Sequence, residues 1–263
     1  MTYQYIRVEK NDGIGWLTLD RPEVLNAMIP AMMKEVIDAF EDLNNDDAVR
    51  VVVITGEGKG FSAGGDYDFL VELTEARPFD VKNTVYRFFG AGVRAVKLCP
   101  KPTIAAVNGP AAGAGCEIAL ACDFRIASEH AVFRESWIDL GLLSPLGGMY
   151  LLPRLVGLAK ANEILLLGSR IGAAEALEIG LVREVVAADE LMEAAGKLAG
   201  KLAAGPPLAL RAMKEGIRRG LESTMAAEWE HNVYVQSMLI DSDDFAEGVA
   251  AMTEKRKPKF RGS

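Results

Sequence analysis

The chain has 263 residues, half of them hydrophobic and a quarter charged, the balance of a globular protein able to bury a sizeable core. A formal net charge of −8 works against nonspecific binding to nucleic acid. Three cysteines and two histidines, with no C-x-x-C spacing, argue against a disulfide framework and a structural zinc site.

The opening MTYQYIRVEK lacks the apolar stretch of a secretory signal, and no apolar run reaches the length of a membrane span, so a cytoplasmic protein is expected. Residues 4–10 and 14–19 read as two strands joined at Asn11, Asp12 and Gly13. Residues 30–43 carry Met33, Val36, Ile37 and Phe40 at helical spacing. Val51 to Ile54 is a β-branched run suited to a strand buried on both faces, and the glycine-rich GEGKGFSAGGD follows it. Residues 81–98 read as helix, residues 103–107 as a second buried strand, and residues 124–128 as another after the segment NGPAAGAGCEIALACD. Strands alternating with helices imply a mainly parallel α/β sheet. Beyond residue 189 the pattern is helical throughout: 189–203, 206–220, 223–240 and 242–252. The expected division is an α/β core over 1–188 and a helical region over 189–263. The terminal EKRKPKFRGS is basic, and reads either as a solvated end or as an anion contact.

Several motifs compete for the chemistry. GFSAG at 60–64 fits the G-x-S-x-G of serine hydrolases, with Ser62 as nucleophile and His231 as base. That elbow needs a strand running directly into the serine, and here GEGKG intervenes. GAG at 113–115 begins a dinucleotide fingerprint, but Ile118 stands where the third glycine belongs. Gly60 likewise stands where a phosphate-binding loop needs Ser or Thr after Lys59. The two glycine-rich turns SAGGD and PAAGAG carry a different meaning when taken together. Each follows a buried strand and precedes a helix, so both lie at the carboxyl ends of strands, where ligands bind. Two free backbone N–H groups converging there would form an oxyanion hole, and the second would gain from the helix that begins near Ala114.

DRPEVLNAM, FSAGGD, KPTIAAVNGPAAGAGCEIALACD, RIGAAEALEIGLV and EGVAAMTEKRKPKF together resemble the crotonase superfamily, the enoyl-CoA hydratase/isomerase family, over essentially the whole chain. The resemblance implies a crotonase-like α/β fold of repeated ββα units with a C-terminal helical trimerisation region. It implies acyl-CoA substrates, no separate cofactor because CoA is part of the substrate, and a homotrimer or a dimer of trimers. Carried over residue by residue, the oxyanion donors are the N–H groups of Gly65 and Ala114. Val24, Leu25, Ala63, Gly64, Asp66, Tyr67 and Gly113 fall where the family contacts CoA and the thioester.

Glu117 is the single acid in an apolar helix, and it matches a family acid/base residue. A carboxylate buried there has a raised pKa and trades protons near neutrality. Hydratases of the family carry a second glutamate in the segment that reads AVFRESWIDLGLLSPLGG here. Alignment on Phe133, Gly147 and Gly148 puts Trp137 at that place, and an indole is neither acid nor base. Glu135 and Asp139 flank it and are expected to point elsewhere. Pro145 occupies the position where other members place a carboxylate. Trp137 is expected to line the acyl pocket and stack on a flat or cyclic group. The reading is hydratase-type lyase chemistry on a bulky or cyclic unsaturated acyl-CoA through an enolate, with Glu117 the single acid/base. Double-bond isomerisation is the alternative, with decarboxylation or ring hydrolysis ranked lower. Outside that class stand the serine hydrolase and a non-catalytic binding protein on the same fold.

Overall fold

The computed structural model describes residues 2–263. Strands β1 (Ile6–Asn11) and β2 (Ile14–Leu19) form the expected antiparallel hairpin, turned at Asp12 and Gly13, both of which have positive φ. Helix α1 (Pro30–Asn45) leads to β3 (Val51–Gly56). Helices α2 (Tyr67–Glu75), α3 (Pro78–Thr84) and α4 (Ala91–Lys97) follow, with a π-helical stretch at Val85–Gly90 between the last two. Next come β4 (Thr103–Val107), β5 (Pro110–Ala112), α5 (Ala114–Ala121), β6 (Phe124–Ser128) and β7 (Val132–Arg134). After a short 3-10 turn at Ser136–Leu140, the chain continues through α6 (Gly148–Leu167), β8 (Ile171–Gly172), α7 (Ala173–Glu178) and β9 (Glu184–Val186). Four helices close it: α8 (Leu191–Ala203), α9 (Pro207–Gly220), α10 (Met225–Ile240) and α11 (Asp243–Glu254).

The main sheet has the order β1-β2-β3-β4-β6-β9, parallel throughout except for the β1–β2 hairpin. Its central strands are buried on both faces, as their continuous apolar runs predict. Val52 and Ile54 of β3 face one core with Met33, Phe40 and Ile118. Val51 and Val53 face the other, together with Ile104, Ala106 and Ile126. The second face is covered by α8, whose Leu191, Ala195, Ala199 and Ala203 recur every turn on one stripe.

A smaller sheet, β5-β7-β8, stands at the carboxyl ends of the main strands. Isolated bridges join Met28 to Gly65 and Ser62 to Ala111, fastening the loop after β3 to β5. Thus the two glycine-rich turns, far apart in sequence, are held side by side by backbone pairing. The basic tail folds back on α11: the Arg256 guanidinium pairs with Glu247 and Glu254, and the N–H groups of Arg261 and Gly262 donate to buried Asp244 at 2.6 and 2.9 Å. Lys257 and Lys259 remain exposed.

Candidate active site

The turn at Ser62–Gly65 is built from within. The Ser62 hydroxyl is fully buried, donates to the Asn26 carbonyl at 2.8 Å and accepts from the Gly64 N–H at 3.2 Å. A nucleophile needs an exposed oxygen with a base beside it, and Ser62 has neither. His231 lies on α10, which packs on α9 and α11. The G-x-S-x-G match is therefore a structural turn, not a nucleophile elbow. Asn26, also buried, spans the same loop: its amide donates to the carbonyls of Glu57 and Gly60 at 2.9 and 2.8 Å and accepts from the Arg21 N–H. Gly64 has φ +93, and a Cβ there would lie 2.7 Å from the Ala112 carbonyl oxygen and 3.5 Å from the Ala114 nitrogen. Only glycine lets the two turns approach this closely.

Against these turns, the N–H groups of Gly65 and Ala114 have no acceptor among the described residues. Ala114 opens α5, so its N–H is one of the helix's unpaired first donors, and the positive end of the helix dipole lies there. Two free donors on adjoining turns suit an oxygen that gains negative charge.

Glu117, in the first turn of α5, is completely buried. Its Oε1 accepts from the N–H of Leu146 at 3.0 Å and of Gly148 at 2.7 Å, while its buried Oε2 has no partner. Burial pushes its pKa up to about 7, although the amides of Gly148, Leu146 and Gly147 favour the charged form.

Glu135 corrects the expectation that it points elsewhere. It is buried, its Oε2 accepts from the Ser144 hydroxyl at 3.0 Å, and its Oε1 is unpartnered. A Cβ on Gly148 would lie 3.1 Å from Glu117 Oε1 and 3.2 Å from Glu135 Oε1, so both carboxyls converge on one glycine. Burial first and the charge of Glu117 second push Glu135 up to about 8. Asp139 does turn away, to pair with Arg134 at 2.7 Å. Glu135 lies just past the end of β7, at the start of the 3-10 turn, two residues after the core residue Phe133; the apolar Phe133 was the one sequence signal that the chain here runs along the core.

Trp137, half-buried in the 3-10 turn, lays its indole over Gly113, with Cε2 and Cζ2 at 3.6 and 3.8 Å from where a Cβ would sit. Its Nε1–H is buried and completes no hydrogen bond of good geometry, yet it lies near enough to both carboxyls to favour their charged forms. The indole therefore stands between the second turn and the acids.

The positions matched to CoA contacts fall into two groups. Val24 and Leu25 are exposed, and the Ala63 N–H donates to the Leu25 carbonyl at 2.8 Å, which joins them to the first turn. Tyr67 is exposed on α2. The Asp66 carboxylate is engaged already: it caps α2 through the N–H groups of Asp68 and Phe69 and pairs with Arg21 at 3.0 Å. Its backbone is engaged as well, the N–H by the Met28 carbonyl at 3.0 Å and the carbonyl by the Leu70 N–H at 2.9 Å, so Asp66 shapes the turn and leaves the Gly65 N–H as the free donor beside it. The Gly113 N–H is taken by the Arg134 carbonyl at 2.9 Å. Among the described residues no group of three or more His, Cys, Asp and Glu is arranged to hold a metal ion, and no helix is long and apolar enough to cross a membrane.

The sequence model of the enoyl-CoA hydratase/isomerase family matches residues 9–263, and the chain belongs to that family. Its fold is the crotonase fold, and its activity is that of a lyase or isomerase of this family. It is 37% identical over 264 residues to the crotonyl-CoA hydratase of Syntrophomonas wolfei, covering 99% of both chains. It is 38% identical over 263 residues to the 1,2-epoxyphenylacetyl-CoA isomerase of Escherichia coli, covering 100% of this chain and 99% of that one. The crystal structure of an enoyl-CoA hydratase from Bacillus anthracis superposes with a TM-score of 0.93 at 34% identity, over 99% of this chain and 100% of that chain.

Proposed function

We propose that the protein adds water to the double bond of an unsaturated acyl-CoA thioester, through an enolate whose oxygen is held by the N–H groups of Gly65 and Ala114. The observation that carries this reading is the pair of unengaged amides standing with a buried carboxyl, Glu117, whose Oε2 is free. As water adds to the β-carbon, the Glu117 carboxylate takes its proton and the thioester oxygen becomes anionic. The same carboxyl then delivers the proton to the α-carbon, and the carbonyl re-forms. One such oxyanion donor is worth roughly 10²–10³ in rate, because charge develops where the donor already points.

Isomerisation uses the same parts: Glu117 removes a proton from one carbon and returns it to another. The similarity to an isomerase named for an epoxyphenylacetyl group favours this second reading, as does the indole of Trp137 beside the second turn. In both readings Trp137 forms a flat apolar wall for a bulky or cyclic acyl group. Val24, Leu25, Tyr67 and the backbone from Ala63 to Gly65 meet the CoA moiety. Residues 1–188 carry the site, and 189–263 supply α8 to the sheet and α9 to α11 to contacts between copies in a trimer or a dimer of trimers. Turnover of an acyl-CoA panel in deuterated water, followed by mass spectrometry, tests the reading. Water adding to the acyl group supports hydration; a double bond that changes position without a mass gain of water, with or without deuterium entering, supports isomerisation. No change in any acyl-CoA would refute both.

A further inference from the structure

We propose that Glu117 and Glu135 act as one carboxyl pair that holds a single proton between them, with Glu135 the positioning residue that keeps this proton in the site whose usual second glutamate is replaced by Trp137. The role given to the pair in turnover rests on the acyl-CoA reading above; the pair itself does not.

Four observations carry the inference. Both carboxyls are buried and approach the same glycine, with Oε1 of each at 3.1 and 3.2 Å from the position of a Cβ on Gly148. Each has one oxygen held by a donor and one buried oxygen without any partner. Among the described residues neither makes an ion pair: the nearest cation in sequence, Arg134, is occupied by the Gly168 carbonyl and Asp139. The other titratable group facing them is the buried Cys116 thiol, which burial holds in its neutral form; the remaining neighbours are the Ser144 hydroxyl, the indole and backbone amides. Two carboxylates packed against one glycine, out of water and without a counter-ion, resist ionising together. A proton on one of them removes the repulsion.

The amides of Leu146 and Gly148 decide where the charge goes. They give Glu117 two donors that favour its carboxylate, whereas Glu135 has one hydroxyl. Glu117 is therefore the partner that ionises first and meets the substrate, and Glu135 remains the neutral acid. Once Glu135 also ionises, the enolate would form beside a buried carboxylate charge that the neutral acid does not carry, and turnover should fall. The pair titrates in two macroscopic steps, and each limb of the pH profile belongs to the pair.

The test uses the full-length protein and Glu135→Gln and Glu117→Gln variants. Infrared titration of the free protein should show a protonated carboxyl persisting above about pH 7, lost in Glu135→Gln and shifted to lower pH in Glu117→Gln. The pH–rate profile of the parent should be bell-shaped, and Glu135→Gln should keep the acid limb and lose the alkaline limb. Full ionisation of both carboxyls well below neutrality, or an unchanged infrared signal in Glu135→Gln, would overturn the pair. A normal infrared result with no turnover of any acyl-CoA would instead leave the pair standing and remove the reaction assigned to it.

Discussion

The Gly148 N–H donates to Glu117 Oε1 at 2.7 Å, from the first residue of α6. With the Leu146 N–H it fixes one carboxyl oxygen and leaves the other free for proton transfer. The missing side chain at position 148 matters as much as the amide, since a Cβ would press on Glu117, on Glu135 and, at 3.3 Å, on Ser144.

Gly148→Ala should therefore separate stability from activity. Gly148 is the first residue of α6, so alanine gains there at most part of the ~1 kcal/mol it has over glycine in a helix interior, and that part offsets the tight Cβ contacts enough that the melting temperature should change little. The carboxyls must move by a few tenths of an ångström, and turnover should drop by roughly tenfold or more, given how steeply rate depends on alignment. Melting curves and steady-state kinetics on one preparation check both halves. Undiminished turnover would show that the carboxyl positions are not tightly held.

Glu117→Gln should lower turnover by at least about 10²-fold, the lower range for a general acid/base, while stabilising the fold at alkaline pH. Folding raises this carboxyl from 4.5 to about 7, so the folded chain binds the proton more tightly than the unfolded one. Stability is then full below about pH 4.5 and is lost as pH rises through about 7. Removing the group should recover on the order of 1–3 kcal/mol near pH 8 and nothing at the acid end. Denaturant unfolding at several pH values reads this difference directly.

Ser62→Ala should keep most of its turnover and lose stability. The hydroxyl satisfies the Asn26 carbonyl and the Gly64 N–H inside the turn, and leaving them unpaired costs roughly 1–3 kcal/mol. A fluorophosphonate should fail to label the parent protein. Labelling at Ser62 would restore the hydrolase reading.

Trp137 should make crotonyl-CoA a poor substrate, because a short linear acyl group has little to lay against the indole over Gly113. Acyl groups with a ring should turn over faster, and Trp137→Phe should weaken them by about tenfold or less, since an aromatic contact beyond area burial is worth about 0.5–1.5 kcal/mol. The variant also removes an N–H that favours both charged carboxyls, so its acid limb should move to higher pH. Crotonyl-CoA hydration at rates typical of an efficient enzyme would contradict this role for the indole.

The outward helices should meet other copies of the chain. Ile217 of α9 and Trp229, Val233, Tyr234 and Met238 of α10 are all about two-thirds or more exposed in the single chain, at 70%, 66%, 68%, 67% and 74%. Apolar exposure on this scale marks an interface. Light scattering should give three or six times the 28.4 kDa of one chain. A monomer at micromolar concentration would refute the assembly.

The sequence by itself determined the layered α/β architecture, because burial on both faces writes continuous β-branched runs such as residues 51–54, and helices write their own period. It also marked Glu117, since a lone acid in an apolar helix is costly unless used. The short strands β5, β7, β8 and β9, and the long α6 did not stand out: strands of two or three residues carry no period, and Pro153 and Gly157 interrupt the helical signal of α6. The site was decided by tertiary structure wherever its contacts span long stretches of chain. The amide that orients Glu117 lies 31 residues away, and Ser62 is settled by Asn26, 36 residues before it. Matching positions in order made Trp137 look like the loss of a carboxylate. Glu135, two places earlier, reaches the same glycine because β7 carries it beside α5 and the start of α6, and only the packing of those elements sets where a side chain's oxygens end.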